Sequence, residues 1–215
     1  MNRTAKFWNR MADRYARQPV ADEAAYQEKL RITREYLTPE TDLLEVGCGT
    51  GSTAVVHAPL VRRVRAADFS SSMIAIARDK ARAAGVGNID FEVASLDDLA
   101  AADAVADVVL ALSVIHLLDD RDAGLRKLYS LLKPGGYLIS STVCVADVMK
   151  PLKYVAPLGQ AVGLLPLLRV FSADELVRSV SGAGFEIVRD WRPGKKKAAF
   201  IVARRPGAQD VSDLT

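Results

Sequence analysis

Three glycines at alternate positions, Gly47, Gly49 and Gly51, follow a short apolar run, Leu43 to Val46. A buried strand that breaks into such a turn can bring bare main chain against a ligand. Glycine accepts backbone angles that other residues resist, and it has no side chain to hold a bound group away. The stretch from Ser52 onward, with Ala54, Val55, Val56 and Leu60, reads as a helix whose first amides face that ligand. Two carboxylates accompany the turn. Glu45 lies in the strand just before it, where a buried carboxylate without a cation is costly. Asp68 closes the next apolar run, Val64 to Ala67, at the distance along the chain where an acid can grip two ribose hydroxyls. Ser52 stands where a dinucleotide fingerprint of the Gly-x-Gly-x-x-Gly kind has its third glycine.

The glycine turn and Asp68 together resemble the first two motifs of the class I S-adenosylmethionine-dependent methyltransferases, of the small-molecule type. The resemblance spans about Asp42 to Arg205 and involves several motifs in the right order. It implies that S-adenosyl-L-methionine is the cofactor and S-adenosyl-L-homocysteine the product. It also implies that Gly47, Cys48, Gly49 and Gly51 pack against the methionine end and the ribose. Glu45 would help fix the ammonium, and Asp68 would hold the ribose. Phe69 would lie against the adenine, with Ser70 and Met73 flanking it; ordinary core packing is the alternative for Phe69 and Met73. Many relatives carry Gly-Asp-Ala where this chain has Ala94-Ser95-Leu96. Here Ser95 takes the adenine-binding place, with the Leu96 amide on the ring, and Asp97 is the alternative acceptor. The segment Ala111 to Leu118 resembles the family's methyl-transfer segment. Leu112 and Ser113 would face the methionine end.

Two side chains are candidates for catalysis. His116 has an ordinary pKa near neutrality and is able to deprotonate an acceptor hydroxyl, amine or thiol; a packing role is the competing reading. Tyr15, with Trp8, would reach the ligand if the N-terminal helices cover the cleft; otherwise both rings anchor their helix. No Asn-Pro-Pro-Tyr or Asp-Pro-Pro-Tyr stretch follows the fourth strand, which argues against base or amide-nitrogen methylation by the mode those motifs support. The expected acceptor is therefore a small, partly hydrophobic molecule.

The elements that must position these residues follow a regular rhythm. Phe7, Trp8, Met11, Ala12 and Tyr15 share a helical face, and a second helix runs from about Asp22 to Leu37. Strands then alternate with helices. Strand two ends at Ala67, strand three is Ile89 to Val93, strand four Asp107 to Leu112, and strand five Tyr137 to Thr142. Strand six is Phe185 to Val188, and strand seven Ala198 to Ala203. Ser70 to Ser72 offer N-caps, Asp122 opens a helix, and Ser172-Ala173-Asp174-Glu175 forms a capping box. This alternation predicts an α/β, Rossmann-like, mostly parallel sheet with helices on both faces. The last connection is too short for a crossover helix, so strand seven must run antiparallel. The resemblance implies seven strands in the order 3-2-1-4-5-7-6, with Lys133-Pro134-Gly135-Gly136 as a fold marker. It divides the chain into an N-terminal helical cap, 1–40, a cofactor-binding domain, 41–205, and a polar tail, 206–215. Within the domain the proline- and glycine-broken apolar stretch 144–171 reads as a lid or acceptor insertion, against a homodimer contact or a membrane-surface patch.

The composition of the 215 residues sets the remaining bounds. Half are hydrophobic and 26% charged, with a net charge of +3, ordinary for a soluble globular chain. The Lys and Arg residues are scattered, which gives no reason to expect a nucleic-acid partner. Cys48 and Cys144 stand alone, without metal-ligand spacing, so no metal is expected and a reducing cytoplasm fits. No apolar run reaches the length of a membrane span. Two other function classes remain open at this level: a catalytically silent S-adenosylmethionine-binding or partner protein, and an NAD(P)-dependent oxidoreductase. Ser52 and the terminal hairpin count against the second.

Overall fold

The computed structural model describes residues 3–99, 105–148, 169–194 and 197–207. Its strands form one seven-stranded sheet in the order β3-β2-β1-β4-β5-β7-β6, as the family resemblance implies. The chain divides into two compact units, Met1–Leu99 and Ala100–Thr215.

The first unit begins with helices α1 (Arg3–Ala16) and α2 (Glu23–Arg34). Asp22 caps α2 by accepting from the Ala25 N–H at 3.1 Å. Strand β1 (Asp42–Val46) is buried at all five positions, Glu45 included. Helix α3 (Ser52–His57) is short, and its expected last turn is a separate 3-10 segment, Ala58–Leu60, with Pro59 near its start. Strand β2 (Arg63–Asp68) runs parallel to β1 and to β3 (Ile89–Val93). It is one residue longer than expected, because Asp68 still pairs with Val93. Helix α4 (Ser71–Ala83) lies between them in sequence, capped by Ser70 and closed by Gly85 at φ +67°. There the Val86 N–H reaches back to Ala81 and that of Gly85 to Arg82, bonds that satisfy carbonyls a helix end leaves bare.

The second unit holds β4 (Ala106–Leu112), α5 (Arg121–Leu131), β5 (Leu132–Thr142), α6 (Val145–Val148), α7 (Ala173–Gly182), β6 (Glu186–Trp191) and β7 (Ala199–Arg204). Asp120, not Asp122, caps α5, accepting from Ala123 at 2.9 Å. The capping box at Ser172 is present in full. Strand β5 starts at Leu132 rather than Tyr137. The Lys-Pro-Gly-Gly turn is absorbed into the strand as an irregularity between the pairs Ala106–Leu132 and Val108–Tyr137. Four contacts hold it there. The Arg205 guanidinium donates to the Leu132 carbonyl at 2.6 Å and to that of Tyr129 at 3.0 Å, Lys133 pairs with Asp107 at 2.9 Å, and the Gly135 N–H donates to Arg205 O at 2.9 Å. A side chain at Gly136 would lie 2.8 Å from the Asp107 carbonyl, so this glycine is set by close packing. Strand β7 runs antiparallel to both β5 and β6. Most of the apolar stretch 144–171, and the tail beyond Gly207, lie outside the described residues.

Candidate functional site

All three glycines of the turn adopt positive φ: Gly47 +66°, Gly49 +53° and Gly51 +73°. Their reasons differ. A Cβ on Gly51 would lie 2.7 Å from Ala77 Cβ and 3.1 Å from the Phe91 ring. Gly51 is thus required by the seating of α4 and β3 against the turn. A Cβ on Gly49 would meet only Tyr15, at 3.9 Å, so this main chain is open to an approaching group. The turn is fastened by Cys48 N–H to Ala67 O and by Gly51 N–H to Cys48 O, both 3.0 Å.

The two acids sit on either side of this turn with unlike environments. Asp68 is 8% exposed, and each of its oxygens accepts a backbone N–H: Gly49 at 3.0 Å and Ser70 at 2.8 Å. Burial raises its pKa and these two bonds oppose the rise. Glu45 is 2% exposed and its Oε2 has no partner. Burial first, then the charge of Asp68, raises its carboxyl to about 8, with a bond from the Ala54 backbone opposing. At neutral pH Glu45 therefore holds its proton. The Cys48 thiol is pushed well up by burial and by both carboxylates, which keeps it neutral.

Helix α1 contributes groups that periodicity alone does not single out. The Asn9 side-chain oxygen accepts from Ser70 Oγ at 2.6 Å and from the Ser72 N–H at 3.2 Å. Asn9 lies on the helical stripe shared by the buried Ala5 and Ala12, and a polar residue in that stripe is the signal that would have found it. Tyr15 is 46% exposed, packs edge-on against Trp8 with 6.0 Å between centroids, and borders Gly49. Its hydroxyl pKa is raised by burial, then by Asp68 and Glu45, so it remains a neutral donor rather than a base. The Trp8 indole N–H is buried without a partner.

Of the residues expected at the nucleoside end, Ser70 is fully buried and Phe69 is half-buried. Met73 is 2% exposed, in the core, and donates its N–H to Ser70 Oγ. The Ser95 hydroxyl bonds to Asp98 at 2.6 Å and the Asp98 N–H returns to it at 3.2 Å, closing a local turn. Leu96 is buried and Asp97 exposed. Lys80, unremarked in the sequence, donates to Ser52 Oγ at 2.7 Å and Thr50 Oγ1 at 3.1 Å, and so braces the turn from α4.

In the second unit, β4 ends at the half-buried Leu112, and Ser113 follows at φ +62°. It is the one non-glycine residue with positive φ among those described, and strain of that kind gathers at functional positions. Its N–H donates to Ser141 O at 2.7 Å. His116 is 8% exposed, its Nδ1 has no partner, and burial lowers its pKa to about 4. It is a neutral imidazole at pH 7. The His116 carbonyl accepts from the Arg169 N–H at 2.8 Å. Among the described residues no cluster of His, Cys, Asp or Glu is able to hold a metal ion, and no helix is long and apolar enough to cross a membrane.

Residues 44–140 match a family described as a methyltransferase domain. Over 102 residues the chain is 37% identical to a ubiquinone biosynthesis O-methyltransferase of Xanthomonas axonopodis pv. citri, covering 47% of this chain and 42% of that one. It is 31% identical over 147 residues to a probable S-adenosylmethionine-dependent methyltransferase of Mycolicibacterium smegmatis, covering 68% and 52%. The chain thus spans about half the length, or less, of the curated relatives it matches. Among solved structures, the N-methyltransferase NodS from Bradyrhizobium japonicum in complex with S-adenosyl-L-homocysteine superposes with a TM-score of 0.73 over 95% of this chain and 100% of that one, at 14% identity. That likeness shows the shared fold.

Proposed function

We propose that the chain carries a class I S-adenosylmethionine-dependent methyltransferase domain and methylates a small-molecule acceptor in the cytoplasm. The observation that carries this reading is the pairing of an open glycine turn with two buried acids at the ends of adjacent parallel strands, Glu45 and Asp68. The cofactor fits the chemistry of these groups. The buried Glu45 carboxyl has an oxygen without a partner, and a cationic ligand beside it would draw off the proton it otherwise holds. The open main chain at Gly49 admits close approach. Asp68 keeps lone pairs beyond its two backbone bonds for a ribose.

When bound, the cofactor supplies a methyl group on a positively charged sulfur, an already activated leaving group. What is left for the chain is positioning, which by itself supplies a large part of a barrier reduction. In this reading Gly47, Cys48, Gly49 and Gly51 form the floor, and Glu45 meets the ammonium. Asp68 meets the ribose, and Phe69, Ser70, Ser95 and Leu96 border the base. Tyr15 covers Gly49 as a donor. From the second unit, Leu112 and Ser113 belong to the methyl-transfer segment. His116, buried and held well below its usual basicity, acts by packing rather than as the base. Ubiquinone biosynthesis, named for one relative, supports an aromatic or otherwise partly apolar acceptor.

The test is calorimetric titration with S-adenosylmethionine and, separately, with NADH, followed by assay of S-adenosylhomocysteine release with candidate phenols and thiols. Micromolar binding of the first ligand, with release that depends on an acceptor, is the expected result. Binding without release under any acceptor would leave a silent binder, and binding of NADH alone would overturn the reading.

A further inference from the structure

The bonds around Ser70 form an unbroken path from helix α1 to the glycine turn. Asn9 Oδ1 accepts from Ser70 Oγ at 2.6 Å and from the Ser72 N–H at 3.2 Å. The Ser70 N–H donates to one oxygen of Asp68 at 2.8 Å, and the other oxygen accepts from Gly49 at 3.0 Å. Ser70 is fully buried and its hydroxyl also receives the Met73 N–H, so the hydroxyl proton is committed to Asn9. A hydroxyl has one proton to give and two lone pairs to receive, and here the donation has one acceptor in reach. The same helix carries Tyr15, whose ring borders Gly49.

We propose that Asn9 is a positioning residue for the cofactor site: by fixing the Ser70 hydroxyl and the first turn of α4 it holds the Asp68 carboxylate in place against Gly49, and it docks α1 so that Tyr15 lies over the turn. The assignment rests on the reading of Asp68 as the ribose-binding acid. Asn9 touches neither Asp68 nor Gly49 among the hydrogen bonds of the described residues; it acts through Ser70. Only its acceptor oxygen is used, because both partners, a hydroxyl and a backbone N–H, donate to it.

The experiment is S-adenosylhomocysteine binding by calorimetry to the full chain, with melting temperatures alongside. Asn9→Ala is expected to weaken binding roughly tenfold, the effect of losing one charge-neutral hydrogen bond's worth of order. Asn9→Asp keeps the acceptor and is expected to bind within about threefold of the parent chain. A purely structural role is separated by a cycle with Asp68→Asn, which offers one acceptor oxygen where the carboxylate has two. In that background Asn9→Ala should add less than about twofold, since the two act in one path. If Asn9→Ala melts below the assay temperature, Asn9→Ser replaces it, being too short to serve both donors. Parent-like binding by Asn9→Ala, or the same loss in both backgrounds, overturns the assignment while leaving the cofactor reading intact. Failure of the parent chain to bind overturns the cofactor reading and this assignment with it.

Discussion

At the end of β2 both oxygens of Asp68 are met by backbone N–H groups, whereas at the end of β4 the buried imidazole of His116 has a bare Nδ1. Asp68 and His116 are thus treated in opposite ways, while Glu45 beside the turn shares with His116 a buried atom without a partner. Around the glycine turn the main chain does the holding: three glycines at positive φ, a capped helix and an acid tied to the turn. After β4 a side chain is buried without a partner and a serine is held at φ +62°. The contrast extends to protons. Burial raises the Glu45 carboxyl to about 8 and lowers the His116 imidazole to about 4. Each group is neutral at pH 7, and each resists a charge of opposite sign.

The largest effect expected from this contrast is at Glu45. Between about 4.5 and about 8 its folded carboxyl holds a proton that the unfolded one has released. Raising the pH through that window therefore favours unfolding. Glu45→Gln should abolish the decline, worth on the order of 4 kcal/mol by pH 8, and denaturant melts at pH 5 and pH 8 measure it. An unchanged slope would mean that Glu45 is ionised in the folded chain.

His116 should behave with the reverse sign. Between 6.5 and about 4 the unfolded imidazole binds a proton that the folded one refuses, so stability falls as the pH drops. His57 is fully buried, and its pKa is likewise lowered to about 4, by burial and by Arg34. His116→Gln should therefore remove about half of the acid decline, roughly 3 kcal/mol at pH 4. The same variant should keep measurable turnover. Loss of all turnover with cofactor binding intact would make His116 the base.

Asp68→Ala removes two backbone bonds and the proposed ribose acceptor together. It should weaken S-adenosylmethionine binding by about 2 kcal/mol, and calorimetry that shows parent affinity would break the assignment. The smallest effect belongs to Ser113→Gly. Glycine accepts φ +62° without strain, so the melt should rise by about 1 kcal/mol of stability. A rise in stability with a fall in turnover would mark the strained serine as functional. A rise with turnover unchanged would confine it to the loop.

The alternation of strands and helices was legible because each β-α step announces itself locally, through an apolar run, a cap and a glycine or proline stop, whereas the order of the strands came from the family resemblance. The turn itself was legible for the same reason. What escaped the sequence lies between elements. Asn9 and Ser70 are 61 positions apart, and no local period links them. Gly51 reads as a ligand position, and its tight packing against Ala77 and Phe91 is a further constraint that only the fold creates. The Ser95 hydroxyl reads as free to meet a base, yet it closes a turn with Asp98. The start of β5 was placed five residues late, because Arg205 and Asp107 hold a glycine-rich turn in the strand from far away in sequence.

The placement of β7 has a consequence for synthesis. Strand β6 joins the sheet only through β7, which is made after it and lies between it and β5. Chains emerge from the ribosome N-terminus first, so residues 186–191 emerge before the strand they pair with. Until Ala199–Arg204 emerge, β5 and β6 each present an unpaired edge to whatever is nearby. The sheet is therefore open to wrong pairing until β7 is in place, and closing it is left to one short, almost wholly apolar strand.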